Sequence, residues 1–471
     1  MALKRNSALT SKTSRPFTKA LGATSILGLA IMSASSAYAM KTEIGVDYLA
    51  KAYSIHSNAW EGNATADDNP ADIRDNGFAN LLRVNTNFID EDTGVSIHTR
   101  LELSGDRWQG DALDYNTGSS NSFNADNRGS LVSLDLGYAQ IPLPGKAILR
   151  VGRQEANWNN GFLVSDDRRD RILGIVPTSI GTVLALYDRR GDQEGFFSND
   201  NGDMGALGLI TKVMDYQVGL LWVHWLNNHT GASQGYVLQG MDIFSPYLTG
   251  SVAGLFDLTA GMNYVGNNQI NEYAPGVPYS AVGADGLVFS DSSFSEYVRI
   301  EKTLGDLDFG LQWVGAQDGG LISSGFDTYS SMINSSPEST SNPTSVYRMG
   351  GKSGRKDYNE SLLIGKVGFN LTPQWKLTGA AGSLMVDNGT NNDSSLVLDV
   401  EASYQVNKAV RVWATAGYIS SNEVATLSGN PLVASGPFTT SADPTNQYYG
   451  NNTGFADNNV TAGSVNMQVK F

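Results

Sequence analysis

The chain has 471 residues, a net charge of −15, 41% hydrophobic and 17% charged residues, 52 Gly, four His and no Cys. The lack of Cys excludes disulfide scaffolds, Cys-ligated zinc, iron–sulfur clusters and thiol nucleophiles, and four His speak against a histidine-rich metal site. A pI near 4.7 argues against nucleic acid as a partner, because phosphates demand clustered Lys and Arg.

Residues 1–39 read as a secretory signal peptide. Lys4, Arg5, Lys12, Arg15 and Lys19 form a basic start without an acid, Leu21 to Ala34 is mostly apolar, and Ala37-Tyr38-Ala39 is a small-residue cleavage site. Residues 40–471 are the expected mature domain. Loss of the five basic residues leaves 27 Lys and Arg against 47 acids, a net charge of −20. No later run reaches the ~18–20 apolar residues of a membrane helix.

From there to the end the chain alternates with period two. Val95, Ile97, Thr99, Leu101 and Leu103 interleave with Ser96, His98, Arg100, Glu102 and Ser104; Leu396, Leu398, Val400, Ala402 and Tyr404 interleave with Asp399, Glu401 and Ser403. Alternate side chains of a strand point to opposite faces, so each segment has one apolar and one more polar face. Strands are expected near 41–54, 80–90, 95–105, 130–141, 146–156, 171–177, 182–189, 204–213, 216–226, 236–247, 255–265, 294–303, 307–317, 361–371, 375–386, 395–406, 409–420 and 460–471. Short connections such as Glu91–Gly94, Met214–Asp215 and Asn407–Lys408 take turns with long ones at 55–79, 106–129, 157–170, 190–203, 227–235, 266–293, 318–360, 387–394 and 421–459.

That rhythm predicts an all-β fold, a transmembrane antiparallel β-barrel with short periplasmic turns and long extracellular loops. Eighteen strands are expected, or sixteen if 171–177 and 204–213 are not separate. At the C-terminus Val465, Met467, Val469 and Phe471 occupy every second place. This resembles the terminal-strand signature of Gram-negative outer-membrane proteins that the barrel-assembly machinery recognises. Phe88, Tyr138, Trp222, Tyr264, Trp313, Phe369, Trp375, Tyr404 and Tyr418 fit two interfacial aromatic girdles.

A barrel this wide leaves an aqueous lumen, and parity assigns its lining. Asp47, Arg83, Asn85, Arg100, Glu102, Asp135, Arg150, Asp257, Asn263, Arg299, Glu301, Lys366, Asp399, Glu401 and Arg411 fall on polar faces. Arg100/Glu102 and Arg299/Glu301 are same-face neighbours of opposite sign, a sign that part of this charge braces the wall. Residues 150–190 stand out, with Arg150, Arg153, Arg168, Arg169, Arg171, Arg189 and Arg190, no Lys, and a local charge of +2. Guanidinium groups fork towards carboxylates and phosphates, which suits a constriction that orients anionic solutes. An Arg–Asp ladder bracing a loop at 157–170 is the competing reading.

The run Arg150-Val151-Gly152-Arg153-Gln154-Glu155, followed by Trp158, Gly161, Asp167 and Arg168–Arg171, resembles the core of alginate-export-type outer-membrane porins. The resemblance covers about forty residues. It implies an eighteen-stranded barrel with an Arg-lined conduit for anionic polysaccharide, carried here by Arg150, Arg153, Arg168, Arg169 and Arg171.

The function expected is a porin: a water-filled channel for passive diffusion of ions and small hydrophilic solutes, with preference for anions. Lipid, lipopolysaccharide and the assembly machinery are its expected partners, the oligomer a homotrimer or a monomer, and no metal or cofactor is expected. An anionic-polysaccharide channel is the alternative. A barrel adhesin, through loops 318–360 and 421–459, and an outer-membrane hydrolase are rivals of another class. Ser96 and His98 share one face of a strand, but a nucleophile needs a general base and a third group that orients it. Asp387–Asp393 resembles half a calcium loop, yet Leu398 stands where the bidentate acid belongs, so a turn is expected.

Overall fold

Backbone N–H and C=O groups in lipid must find partners within the protein, which leaves a sheet one stable arrangement, a closed one. The computed structural model describes residues 40–57, 74–104, 133–189, 203–226, 229–231, 236–238, 241–266, 290, 292–334, 344–351, 356–422, 424 and 459–471. The leader at 1–39 and most of the long loops, with Arg190, lie outside these.

Eighteen antiparallel strands form the wall: β1 (Met40–Ser57), β2 (Arg74–Asp90), β3 (Ser96–Ser104), β4 (Ser133–Pro142), β5 (Ile148–Trp158), β6 (Val164–Thr178), β7 (Gly181–Arg189), β8 (Asp203–Val213), β9 (Tyr216–Leu226), β10 (Met241–Phe244 continued by Tyr247–Val252), β11 (Phe256–Gly266), β12 (Ser293–Leu304), β13 (Leu307–Gln317), β14 (Asn359–Asn370), β15 (Trp375–Asp387), β16 (Asn392–Asn407), β17 (Val410–Ile419) and β18 (Val460–Lys470). Each pairs with the next. β18 returns to β1 in a register running from Asp47 opposite Lys470 to Ser57 opposite Val460. Phe471 completes the seam, its N–H donating to the Val46 carbonyl at 3.0 Å and its carbonyl accepting from the Val46 N–H at 2.7 Å. The expected strands 171–177 and 204–213 are both present, so the count is eighteen. β10 breaks at Ser245-Pro246, where proline has no N–H to give the ladder. A small hairpin, His229–Gly231 with Tyr236–Leu238, stands apart from the wall sheet.

The outer face is apolar as parity predicts. Ile97, Leu101, Leu134, Ile172, Leu207, Leu311, Leu363, Leu398 and Val400 point outward and are exposed. Val465 and Met467 share that face, with the terminal Phe471 exposed at the rim. Trp222, Tyr264, Phe369 and Trp375 are exposed with them, and Trp375 packs on Tyr404 with ring centroids 4.7 Å apart. Tyr138 does not join a girdle. Between β3 and β4 the register slips, Arg100 facing Leu136 while Leu101 faces Leu134, which makes Asp135 an extra residue. Such a bulge reverses parity beyond it, and Tyr138 therefore turns into the lumen, where it stacks on His98 at 4.8 Å.

One further expectation needs correction. Residues 157–170 are not a loop: β6 begins at Val164, and Arg168, Arg169 and Arg171 lie on it. Polar side chains are tolerated so far along the strand because this part of the chain is not exposed to lipid, as described below. Asp387–Asp393 closes as a turn, Asn388 Oδ1 accepting from the N–H groups of Thr390 and Asn391.

Leu398, 40% exposed on the outer face, offers a test of the lipid-facing assignment. Leu398→Arg is expected to destabilise the barrel by about 2–4 kcal/mol, the range for an arginine near mid-membrane, measured by urea unfolding in lipid vesicles.

Candidate functional site

Two segments leave the wall and meet inside the barrel. The first is the hairpin of β5 and β6. Its own ladder extends to Trp158 opposite Val164. The neighbouring ladders stop earlier, β4–β5 at Gly137 opposite Arg153 and β6–β7 at Asp170 opposite Arg189. Beyond those points the hairpin has no ladder partner on β4 or β7 among the described residues, and its tip lies within the barrel. Gly152 marks the departure. Its φ is +125°, and a Cβ there would come within 2.9 Å of Tyr138 Cα, so the close approach to β4 requires glycine.

The hairpin tip docks across the lumen on β10, β11 and β12. Trp158 Nε1 donates to the Ser245 carbonyl at 2.8 Å, one of the groups freed by the Pro246 break. Asn159 Nδ2 reaches Ser245 Oγ and the Met262 carbonyl, both at 3.1 Å, and Asn160 Nδ2 donates to Tyr297 Oη at 2.8 Å. Trp158 joins Met204, Ala206, Leu221, Val223, Ile243, Tyr247 and Val265 in an apolar cluster. Phe162, fully buried, packs on Tyr297 and Phe326 with ring centroids 4.7 and 4.8 Å away.

Phe326 belongs to the second segment, the described residues 318–334, 344–351 and 356–358 of the connection between β13 and β14. It touches the first where Ser323 N–H donates to the Phe162 carbonyl at 2.9 Å. Its buried residues Ile322, Phe326, Met332, Ile333, Val346, Tyr347 and Met349 cover Val314, Leu362, Ile364, Leu384, Val386, Val397, Ile419 and Val460 of the inner wall. Polar ties fix its register. Asp399 Oδ2 accepts from Ser331 N–H at 2.8 Å and Ser331 Oγ at 2.7 Å. Glu360 Oε1 and Oε2 accept from Tyr347 Oη at 2.5 Å and Gly350 N–H at 2.7 Å. Burial, and next the Glu360 carboxylate, push the Tyr347 phenol well above its ordinary range, so it keeps the proton it donates. Gly417 gives Met332 room, since a Cβ there would lie 2.5 Å from its Sδ.

The charged lining divides into groups. Arg83, Arg100 and Arg168 form one network with Glu102, Asp135, Glu155 and Asp166. Arg83 Nε lies 3.3 Å from Glu102; Arg100 bonds Asp135 and lies 3.1 Å from Glu155; Arg168 lies 2.5 Å from Asp135 and 2.7 Å from Asp166. Three guanidinium groups face four carboxylates there, so the cluster carries no excess of positive charge. Arg171 is held bidentately by Asp188, both bonds at 2.6 Å, and Arg169 by Asp167 at 2.6 Å. Arg153 makes a looser pair with Asp170, at 3.8 Å, and is 43% exposed. Arg150 donates to Gln140 Oε1 at 2.8 Å, and among the described residues no carboxylate lies within ion-pair reach of it.

Across the lumen, Lys366 pairs with Glu301 at 2.7 Å, and Tyr329 Oη donates to the same carboxylate at 2.8 Å. Arg299 donates to the Asp327 carbonyl at 2.5 Å and lies over the Tyr329 ring, 4.8 Å from its centroid. Arg411 pairs with Glu401 at 2.7 Å and stacks on Trp413 at 4.6 Å. The same-strand pairs Arg100/Glu102 and Arg299/Glu301 therefore give way to other partners: Arg100 and Glu102 bond to neighbouring strands, Glu301 reaches Lys366 across Gly310 of β13, and Arg299 turns to Asp327 of the inward segment.

Parity could not have found the two docked segments, yet the sequence carries a trace of them. Leu362-Leu363-Ile364, Leu384-Met385-Val386, Leu396-Val397-Leu398 and Leu220-Leu221-Trp222-Val223 are apolar on both faces. A strand with lipid on one side needs a second apolar face only where something covers the other.

Solved structures share this fold. OccK9 (OpdG) of Pseudomonas aeruginosa is 11% identical, with a TM-score of 0.52 over 92% of this chain and 99% of its own. OpdQ of the same organism is 9% identical, with a TM-score of 0.51 over 91% and 98%. OmpT, an outer membrane protein of Vibrio cholerae, is 10% identical and follows more loosely, at 0.41 over 93% and 99%. No family model matches the chain, and no curated protein matches it in sequence. The likeness of Arg150–Arg171 to alginate-export-type porins is thus without a family match. What the chain shares with OccK9 and OpdQ is the fold.

Ser331→Ala removes the hydroxyl bond that Asp399 receives from Ser331 of the inward loop. Bonds to charged groups contribute about 1.5–3 kcal/mol, so this variant is expected to increase open-channel noise in single-channel recordings. Gly417→Val, which displaces Met332, is expected to raise mean conductance.

Proposed function

We propose that the chain is an outer-membrane channel of a Gram-negative bacterium, through which ions and small hydrophilic solutes diffuse down their gradients. One observation carries this reading: a closed barrel, apolar outside and charged inside, whose lumen is narrowed by the β5–β6 hairpin and the 318–358 segment. A wall of eighteen strands is too wide for its own side chains to fill, so the inward segments set the size and charge of what passes. The signal peptide, the terminal Phe471 signature and partnership with lipopolysaccharide and the assembly machinery belong to the same proposal.

The anion preference rests on fewer residues than the Arg-rich stretch suggests. Arg168, Arg169 and Arg171 each hold a short-range carboxylate partner, which cancels most of their field at a distance. Arg150, on the inward face and bonded only to Gln140 among the described polar side chains, is better placed to meet an anion. Reconstitution in planar bilayers should give discrete conductance steps, and a preparation that inserts without conducting would favour the adhesin reading. The variant Arg150→Ala should lower the anion-to-cation permeability ratio in reversal-potential measurements. Arg171→Ala should leave that ratio nearly unchanged and lower thermal stability instead, because Asp188, 1% exposed, loses its partner.

A further inference from the structure

The inner wall at the short-turn end of the barrel holds a constellation that solute passage does not use. Ser96 opens β3, immediately after the turn from β2. Its Oγ lies 2.8 Å from His98 Nε2, and His98 Nδ1 lies 2.8 Å from Asn87 Oδ1 on β2. Since Asn87 Oδ1 can only accept, Nδ1 carries the proton and Nε2 is left free to accept from the Ser96 hydroxyl. The Asn87 amide is itself oriented, because Glu43 hydrogen-bonds to it and is held from the other side by Lys41 at 2.7 Å. The imidazole ring is fixed by its stack on Tyr138, at 4.8 Å.

We propose that Ser96, His98 and Asn87 are nucleophile, general base and orienting group of an acyl-hydrolase site on the lumen wall, acting on small carboxylic esters that bear an anionic group. The nucleophile–base–orienter order is what acyl transfer requires, and an asparagine serves in the third place in other hydrolases. Gln140 is the cross-strand partner of Ser96 and Arg150 that of Gln140. Arg150 Nε occupies Gln140 Oε1, which leaves the Gln140 amide N–H groups to donate to an oxyanion formed beside Ser96. Arg150 sits two strands from Ser96, roughly 10 Å away at the usual strand spacing, and matches an ester whose acyl chain ends in a carboxylate. Ser96 is 4% exposed, which restricts the acyl part to small groups.

In the reaction Ser96 Oγ bonds to the ester carbonyl carbon as its proton passes to His98 Nε2. The tetrahedral intermediate then expels the alkoxide, which takes the proton from Nε2 and departs as the alcohol. Water attacks the acyl-serine, giving a proton to Nε2, and the carboxylic acid leaves as Oγ regains that proton. Asn87 is a positioning residue throughout.

The test uses the full chain purified in detergent, with diisopropyl fluorophosphate as the label and p-nitrophenyl acetate and mono-p-nitrophenyl succinate as substrates. The expected results are a single adduct on the Ser96 peptide and a fall in ester hydrolysis of at least about 100-fold in Ser96→Ala and His98→Ala, the lower bound for loss of a general base. Bilayer conductance of both variants should stay at the wild-type value, which separates this site from the channel reading. Asn87→Asp should keep activity and move the acidic limb of the rate profile to higher pH, because a carboxylate stabilises the imidazolium; a merely structural asparagine would not shift it. Arg150→Ala should raise KM for the succinate ester by a larger factor than for the acetate ester, which has no carboxylate for the guanidinium to meet; equal changes for the two esters would overturn the assignment of the anionic group to Arg150. Wild-type hydrolysis no faster than that of Ser96→Ala overturns the proposal, whether or not an adduct forms. If Ser96→Ala fails to form the barrel, His98→Gln supplies the same comparison.

Discussion

The molecule depends on the satisfaction of its backbone inside a medium that offers no hydrogen bonds. Closure of β18 on β1, finished by the exchange between Val46 and Phe471, removes the last two strand edges from lipid. All other features are built within that requirement. An outward-facing position must be apolar, while inward positions are left to serve packing, charge or solute. The inner face therefore varies along the barrel, and the outer face does not.

The β5–β6 hairpin shows how a wall strand can also furnish the constriction. At its wall end β5 obeys the barrel's alternation, with Val151 towards lipid. Past Arg153 the same strand has left the β4 ladder, and polar residues follow on both faces: Gln154 and Glu155 on one strand, Asp167, Arg168 and Arg169 on the other. The Arg-rich stretch owes its composition to this double exposure. Its guanidinium groups mostly join the hairpin to carboxylates of the wall and of the hairpin itself, and the geometry they fix is as much their role as the charge they bring.

Strand number, strand order and the lipid face were legible in the sequence, because alternation and turn chemistry are local. Two kinds of event were not. A bulge at Asp135 shifts parity by one residue and carries Tyr138 from lipid to lumen, and no local signal separates that from regular alternation. Docking of the 318–358 segment on Leu362, Ile364 and Val397 is a contact between residues remote in sequence; only the doubled apolar runs hint at it. Ser96 and His98 were visible as same-face neighbours, but Asn87 stands on the preceding strand, and the register between β2 and β3 is what places it beside them.

Among the described residues, the hairpin end between Arg153 and Asp170 contributes no ladder bonds to β4 or β7. Exchanges of side chains there affect its own docking and leave the hydrogen-bonded cylinder intact. Substitution can accordingly reshape the interior while the closed cylinder stays the same, so that the free width of the lumen and the stability of its wall are set by different residues.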